Sequence, residues 1–142
     1  MPTVIQFYGE IHTQLQTGPA IGNITSELGR LVMDSGIVNG SLCATMNGST
    51  GSLTTIEFEP GVVADLQRAI NRMAPPDDDY AHEQAWHDGN GHSHVQAALV
   101  GPSIVLPIRN RHLQLGTWQQ VVAINHDNRA RQRNIVVTIT GT

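Results

Sequence analysis

From Thr3 to Gln14 the chain is β-branched and aromatic at first, then alternates polar and apolar residues around Ile11 and Leu15, the pattern of a half-buried strand. Thr17-Gly18-Pro19 ends it with turn residues. The period then changes. Ile24, Leu28, Leu31 and Val32 recur at helical spacing, with Asn23 or Thr25 as cap and Gly36 as the stop, which predicts a helix of about three turns. Gly40, Leu42, Ala44 and Met46 share one face of a strand running from Gly36 to Met46. After the Asn47-Gly48 turn a second strand, Ser52 to Phe58, is rich in Thr and Ile, so the two read as a central hairpin.

Glu59-Pro60-Gly61 opens a second helix with Pro60 at its first position, and Val62, Val63, Leu66, Ile70 and Met73 form its apolar stripe until Ala74-Pro75-Pro76 closes it. Asp77 to Gly91 lacks a period and is the longest segment predicted to be structureless; loops of this length in a small domain are often functional. Ser93 is placed to cap a short helix, His94 to Val100, before Gly101-Pro102. Ile104 to Arg109 and His112 to Ile124 then alternate as strands joined at Asn110-Arg111, and Asn134 to Thr140 follows a polar, Arg-rich turn from His126 to Arg133.

Composition narrows the function more than the fold. At 142 residues the chain is one domain by length, able to bury roughly two thirds of its unfolded surface without a metal or disulfide. All eight basic residues are Arg and the net charge is −4, which excludes a lysine Schiff base and argues against nucleic-acid binding. The opening residues show no signal-like pattern and no stretch is long and apolar enough to span a bilayer, so a cytoplasmic protein without membrane association is expected. The single cysteine, Cys43, agrees with a reducing compartment.

Histidine supplies the first candidate chemistry. His82, His87, His92 and His94 fall within thirteen positions, beside Glu83, Asp88 and the Asp77-Asp79 run. On an extended segment His92 and His94 would project to one side and could both reach a metal, whereas on a helix only one would point inward. The alternative is a solvated polar loop. A helix N-terminus at Ser93 offers a second possibility, anion binding, with Arg109, Arg111 and Arg133 as charged partners. Glu57 and Glu59 flank a strand end and a helix start; Glu59 is read as stabilising that helix, leaving Glu57 as the candidate base or ligand. Trp118 fits either a pocket for a flat ring or a core or subunit contact.

The order Ser49-Thr50-Gly51-Ser52-Leu53-Thr54-Thr55-Ile56-Glu57, Tyr80-Ala81-His82, Gly91-His92-Ser93-His94, Leu106-Pro107-Ile108 and Gly116-Thr117-Trp118-Gln119 resembles the YjbQ family, also called the secondary thiamine-phosphate synthase family, over roughly residues 35 to 141. The resemblance implies a small α+β domain of antiparallel sheets flanked by helices, usually a homotrimer with its polar site near subunit boundaries, and a weak thiamine-phosphate-forming activity. Position by position, Glu57 matches the family's glutamate, His82 its Tyr-x-His histidine, His94 its Ser-His histidine, Trp118 its Gly-Thr-Trp-Gln tryptophan and Arg133 a late arginine. Gly48 departs from the pattern, because many members carry a histidine there.

Together these readings give a single α+β domain, 1-142, of sandwich-like antiparallel β-sheets with two main helices and one short one. Its expected function is that of a small-molecule enzyme with a His/Glu pocket for a phosphorylated or heterocyclic ligand. Glu57 and His94 would be catalytic, Ser93, Arg133 and Trp118 ligand-binding, and His82, His92 and His94 ligands of a divalent metal, Zn or Mg. The alternative is a non-catalytic metal- or ligand-binding trimer.

Overall fold

The computed structural model describes residues 2–142, and in it the first alternating segment is strand β1, Ile5–Leu15, followed by the short β2, Ala20–Asn23. Helix α1, Thr25–Ser35, starts where Asn23 Oδ1 accepts from Thr25 N at 3.0 Å and from Thr25 Oγ1 at 2.7 Å. The cap position itself is Ile24, which supplies no side-chain capping bond, so Asn23 and Thr25 flank the cap and bond each other rather than capping the helix. Gly36 ends the helix at φ 70°, a left-handed conformation that glycine adopts without a Cβ clash.

Strands β3, Gly40–Met46, and β4, Gly51–Glu57, occur where the alternation places them but do not form a hairpin. β3 lies between β8 and β5 in a five-stranded sheet, in the order β1-β8-β3-β5-β6, while β4 joins a three-stranded sheet, β2-β7-β4. The connection is drawn away at once: Met46 N donates to Pro102 O and Asn47 N to Asn134 O, so the intervening residues cross from one sheet to the other. An Asn-Gly dipeptide favours a tight turn but does not decide which strand the chain will pair with next.

Helix α2, Pro60–Met73, has Glu59 as its N-cap, its carboxylate accepting from Gly61 N at 2.8 Å and Val62 N at 2.9 Å. Those two bonds hold the Glu59 carboxyl below its usual pKa and confirm its helix-start role. Ile70 is the buried residue of the stripe; Met73 is exposed and Ala74 is buried in its place as the helix ends. The segment expected to lack structure contains α3, Ala81–Trp86, a helix too short for periodicity to reveal. Helix α4, Gly91–Val100, begins at Asn90 rather than Ser93.

β5, Ser103–Arg109, and β6, His112–Leu113, form the expected hairpin, with Asn110 and Arg111 at φ 51° and 67°. The anticipated strand from His112 to Ile124 is broken: the chain turns at 114–118 and resumes as β7, Gln119–Asn125, before β8, Arg131–Gly141. The antiparallel α+β sandwich is thus present, with one helix more than expected.

The two sheets pack face to face. Ile11, Leu42, Ala44, Leu106, Ile135, Val137 and Ile139 from the larger sheet meet Leu53, Val121 and Ala123 from the smaller, and Leu28 and Val32 of α1 close one end. The other face of the smaller sheet, Val122 and Ile124, is covered by Ile70 and Leu66 of α2 and Val100 of α4. β7 is therefore buried on both faces, which is why Val121-Val122-Ala123-Ile124 reads as an unbroken apolar run. Tyr8, Cys43 and Val105 lie exposed on the outer face of the larger sheet. No helix among the described residues is long and apolar enough to cross a membrane.

Candidate functional site

Strand alternation brings polar residues to one end of the sandwich. In β8 the inward row Ile139, Val137, Ile135 continues to Arg133, and in β7 the inward row Val121, Ala123 continues to Asn125, so both core rows end in a polar side chain. These meet: Arg133 Nε and Nη2 donate to Asn125 Oδ1 at 3.1 and 2.6 Å, and Nη2 also to Thr50 Oγ1 at 2.6 Å. Arg133 is only 6% exposed. Burial pulls its pKa down while the neighbouring Asp127 pulls it up, and a guanidinium so high in pKa remains charged. Asp127 is itself buried, yet hydrogen bonds from Asn90, Thr50 and Arg129 N, with the charge of Arg131 at 3.2 Å, outweigh desolvation and keep its pKa low.

Arg133 Nη1 makes no hydrogen bond within the described residues and lies 3.0 Å from where a β-carbon on Gly48 would stand. Gly48, at φ 114°, so leaves the guanidinium edge open. That edge faces a cavity of about 340 Å³, whose walls include Ser49, Asp88, His94, Asp127 and Arg131. An adjoining cavity of about 260 Å³ shares Gly48, Ser49 and His94 and continues to Ala97 and Pro102.

The α3-α4 junction builds the other wall. Glu83 Oε2 accepts from Gly89 N at 2.7 Å and Oε1 from Gly91 N at 3.0 Å, bonds that lower its pKa and fold the loop back over α3. Asp88 consequently turns toward His82. His82 Nδ1 stands 3.4 Å from Asp88 Oδ1 and 3.6 Å from Glu83 Oε1, is buried, and has no well-aligned hydrogen-bond partner among the described residues. Ligand atoms of His82, Glu83 and Asp88 all lie within 4.8 Å of one another. Two ligands bound tetrahedrally at about 2.1 Å stand about 3.4 Å apart, close to the two His82–carboxylate separations, so these three side chains could hold a divalent cation. Gly89, Gly91 and Asn90 N, the last donating to Asp88 Oδ1 at 3.1 Å, hold the carboxylates in place as the outer partners of metal ligands do. The His94 ring centroid is 4.7 Å from that of His82, which puts His94 between this cluster and the Arg133 cavity. A further cavity, about 510 Å³, lies among Asp78, Asp79, Tyr80 and His87 and borders the cluster only through Glu83.

His92 does not join the cluster. Both His92 and His94 are on α4, and a two-residue step on a helix turns the side chain by about 200°, so the extended arrangement that would have aligned them is not realised. His92 is buried, its ring 6.4 Å from that of Tyr80, with Nδ1 unpartnered and its pKa lowered by desolvation. Ser93 is fully buried in the first turn rather than capping it, its hydroxyl set between Asn90 Oδ1 at 2.5 Å and His126 O at 2.6 Å. It supports the site from behind and is out of reach of a ligand.

Glu57 and Trp118 are elsewhere. β4 has Gly51 at the His94 cavity and Glu57 six residues further on, about 20 Å along an extended strand. Within one chain, therefore, Glu57 does not share a pocket with His82 and His94. It lines a separate groove of about 440 Å³ with Trp118, which is 72% exposed and so not a core residue.

The buried centre behind the site went unrecognised in the sequence, where His126 and Asp127 look like part of a surface turn. His126 is fully buried. Gln96 Nε2 donates to Ala74 O at 2.9 Å, which fixes the amide so that its oxygen accepts from His126 Nδ1 at 3.0 Å; Nε2 then accepts from Ser52 Oγ at 2.7 Å. Burial, with Arg133 and His92 nearby, lowers the His126 pKa to about 4 and keeps the ring neutral. The available signal was an inward strand row that turns polar at its end, at Asn125 and Arg133.

A family profile described as UPF0047 protein YjbQ-like matches residues 9–142. A UPF0047 protein of Methanothermobacter thermautotrophicus is 32% identical over 137 residues, covering 93% of this chain and 94% of its own length. UPF0047 protein YjbQ of Escherichia coli O157:H7 is 31% identical over 120 residues, 83% and 86% of the two chains. A YbjQ-like protein of unknown function from Sulfolobus solfataricus superposes with a TM-score of 0.94 at 27% identity, covering 99% of this chain and 100% of that one. The extent of these matches, across both sheets and the α3-α4 junction, establishes that the chain belongs to the YjbQ-like UPF0047 family.

Proposed function

We propose that this chain is a small-molecule enzyme in which His82, Glu83 and Asp88 hold a divalent cation beside a phosphate-binding cavity formed by Arg133, Arg131 and Ser49. The observation that supports it is the double membership of Asp88, which belongs both to the converging ligand set and to the wall that carries Arg131 and Arg133. A cation and two arginines so arranged would draw a phosphorylated substrate into one orientation. Within this reading Arg133 Nη1, oriented by Asn125 and Thr50, donates to a phosphate oxygen, and His94 lines the cavity beside the cation ligands.

The family resemblance supplies a specific reaction, thiamine-phosphate formation. A thiazole nitrogen forms a bond to the methylene carbon of a pyrimidine pyrophosphate while the carbon–oxygen bond to pyrophosphate breaks. The leaving group gathers negative charge, and the bound cation would supply positive charge opposite it. The position of Glu57, outside this cavity in a single chain, favours a second reading in which the protein binds a phosphorylated ligand without turning it over. Metal-loaded and metal-stripped protein, incubated with the two substrates and assayed for pyrophosphate, separates them. Metal-dependent release that is lost in Arg133→Ala supports the enzyme; phosphate-ester binding without release supports the binding module.

We further propose a homotrimer. β1 is paired only with β8 and leaves an eleven-residue edge open, next to a sheet face that exposes Tyr8 and Val105, and association would cover both.

A further inference from the structure

The groove formed by Trp118, Phe58 and Glu57 lies apart from the site above, beside a hydrogen-bonded turn. Gln119 Oε1 accepts from Gly116 N at 3.0 Å, Gln119 N donates to Gly116 O at 3.1 Å, and Gln119 Nε2 donates to Thr55 Oγ1 at 3.0 Å. The first two bonds close the 116–119 turn on itself and the third ties it to β4, so Trp118 is presented to solvent from a braced turn rather than a loose one. Asn23 Nδ2, donating to Gln120 Oε1 at 3.0 Å, braces a further pair of lining side chains. Trp118 and Phe58 are 72% and 43% exposed.

The charge beside these rings is negative and uncompensated. Among the described residues neither Glu57 nor Glu59 forms an ion pair, and neither belongs to a converging set of metal ligands. Glu59 is engaged with the α2 backbone, which leaves Glu57 as the free carboxylate. A divalent metal needs several oxygen or nitrogen donors around one point, and the groove does not gather them. A weakly hydrated organic cation has the opposite needs: an aromatic face for its diffuse charge, a carboxylate within reach, and a space of a few hundred Å³.

We propose that the Trp118-Phe58-Glu57 groove binds a small organic cation of the alkylated ammonium class, with its charge over the indole and its remaining positive edge toward Glu57. The site does not depend on the metal-phosphate reading. A Trp86→Phe protein, in which Trp118 is the sole tryptophan, tests it by titration with tetramethylammonium chloride against sodium chloride at equal ionic strength. Saturable quenching by tetramethylammonium alone, with affinity roughly fivefold weaker or worse in the additional Glu57→Gln variant, is expected. Equal responses to the two salts, or unchanged affinity in Glu57→Gln, would overturn it. So would a blue shift of Trp118 emission that grows with protein concentration and is insensitive to tetramethylammonium, since this assigns the groove to a second copy of the chain.

Discussion

His126, fully buried behind the site, makes the stability of the fold depend on pH. Its folded pKa of about 4 lies below the ordinary histidine value of 6.5. The unfolded chain therefore takes up a proton that the native protein refuses. The resulting stability is complete above pH 6.5 and is lost as pH falls from 6.5 toward 4, an effect of about 3 kcal/mol at most. Urea unfolding of wild type and His126→Gln at pH 7 and pH 4.5 measures it: the wild-type advantage should shrink at the lower pH, and an unchanged difference would contradict the neutral, Ser52- and Gln96-bonded ring. Ser93→Ala leaves the buried His126 O without its hydroxyl donor, while Asn90 Oδ1 keeps Asn128 N, and should cost about 1–3 kcal/mol, read as a lower denaturation midpoint. Residue types were the informative part of the sequence here. His82 and His94 are recognisable because histidines rarely cluster, and Arg133 because a charged residue there continues an inward strand row, while Thr50, Asn90 and Gln96 also bond partners 77, 38 and 30 positions away, distances that no local pattern encodes.

At the level of elements, local signals served well where a helix or strand is determined by its own residues. Pro60 and Glu59 mark the start of α2, Gly36 the end of α1, and Asn110-Arg111 the β5-β6 turn, because capping and backbone conformation are short-range effects. Pairing is different. The β3-β4 hairpin fails because β3 finds two long-range neighbours, β5 and β8, that bury both its edges, and Met46 and Asn47 are held by Pro102 and Asn134 rather than by β4. The start of α4 was misplaced because Asn90 and Ser93 are equally plausible caps by type, and Ser93 is taken by the buried His126 carbonyl. The β3-β4 connection also bears a functional prediction. Gly48→Ala places a methyl group against Arg133 Nη1 and strains a backbone at φ 114° by about 1–3 kcal/mol, so inorganic phosphate should bind more weakly while far-ultraviolet dichroism stays unchanged. Undiminished phosphate binding would remove Arg133 from the ligand's contacts.

The whole molecule places two groups of distinctive residues at opposite ends of β4, the histidine-arginine cavity at Gly51 and the Trp118 groove at Glu57. Alternation and helical spacing anticipated strands and helices, and the family resemblance their α+β arrangement, but the sequence order of Glu57, His82 and His94 concealed that the strand directs its two ends away from each other. Light scattering at micromolar concentration should report three times the 15.4 kDa chain mass, and a monomer would leave the open β1 edge without its expected cover. The proposed function rests above all on the cation. Elemental analysis of tag-free protein, purified without added metal or chelator and compared with Asp88→Asn, tests it most directly. A stoichiometric divalent metal in wild type, largely absent from a variant that remains folded, is the predicted result; metal-free wild type that also fails to take up added zinc or manganese, or equal occupancy in the two proteins, would contradict it.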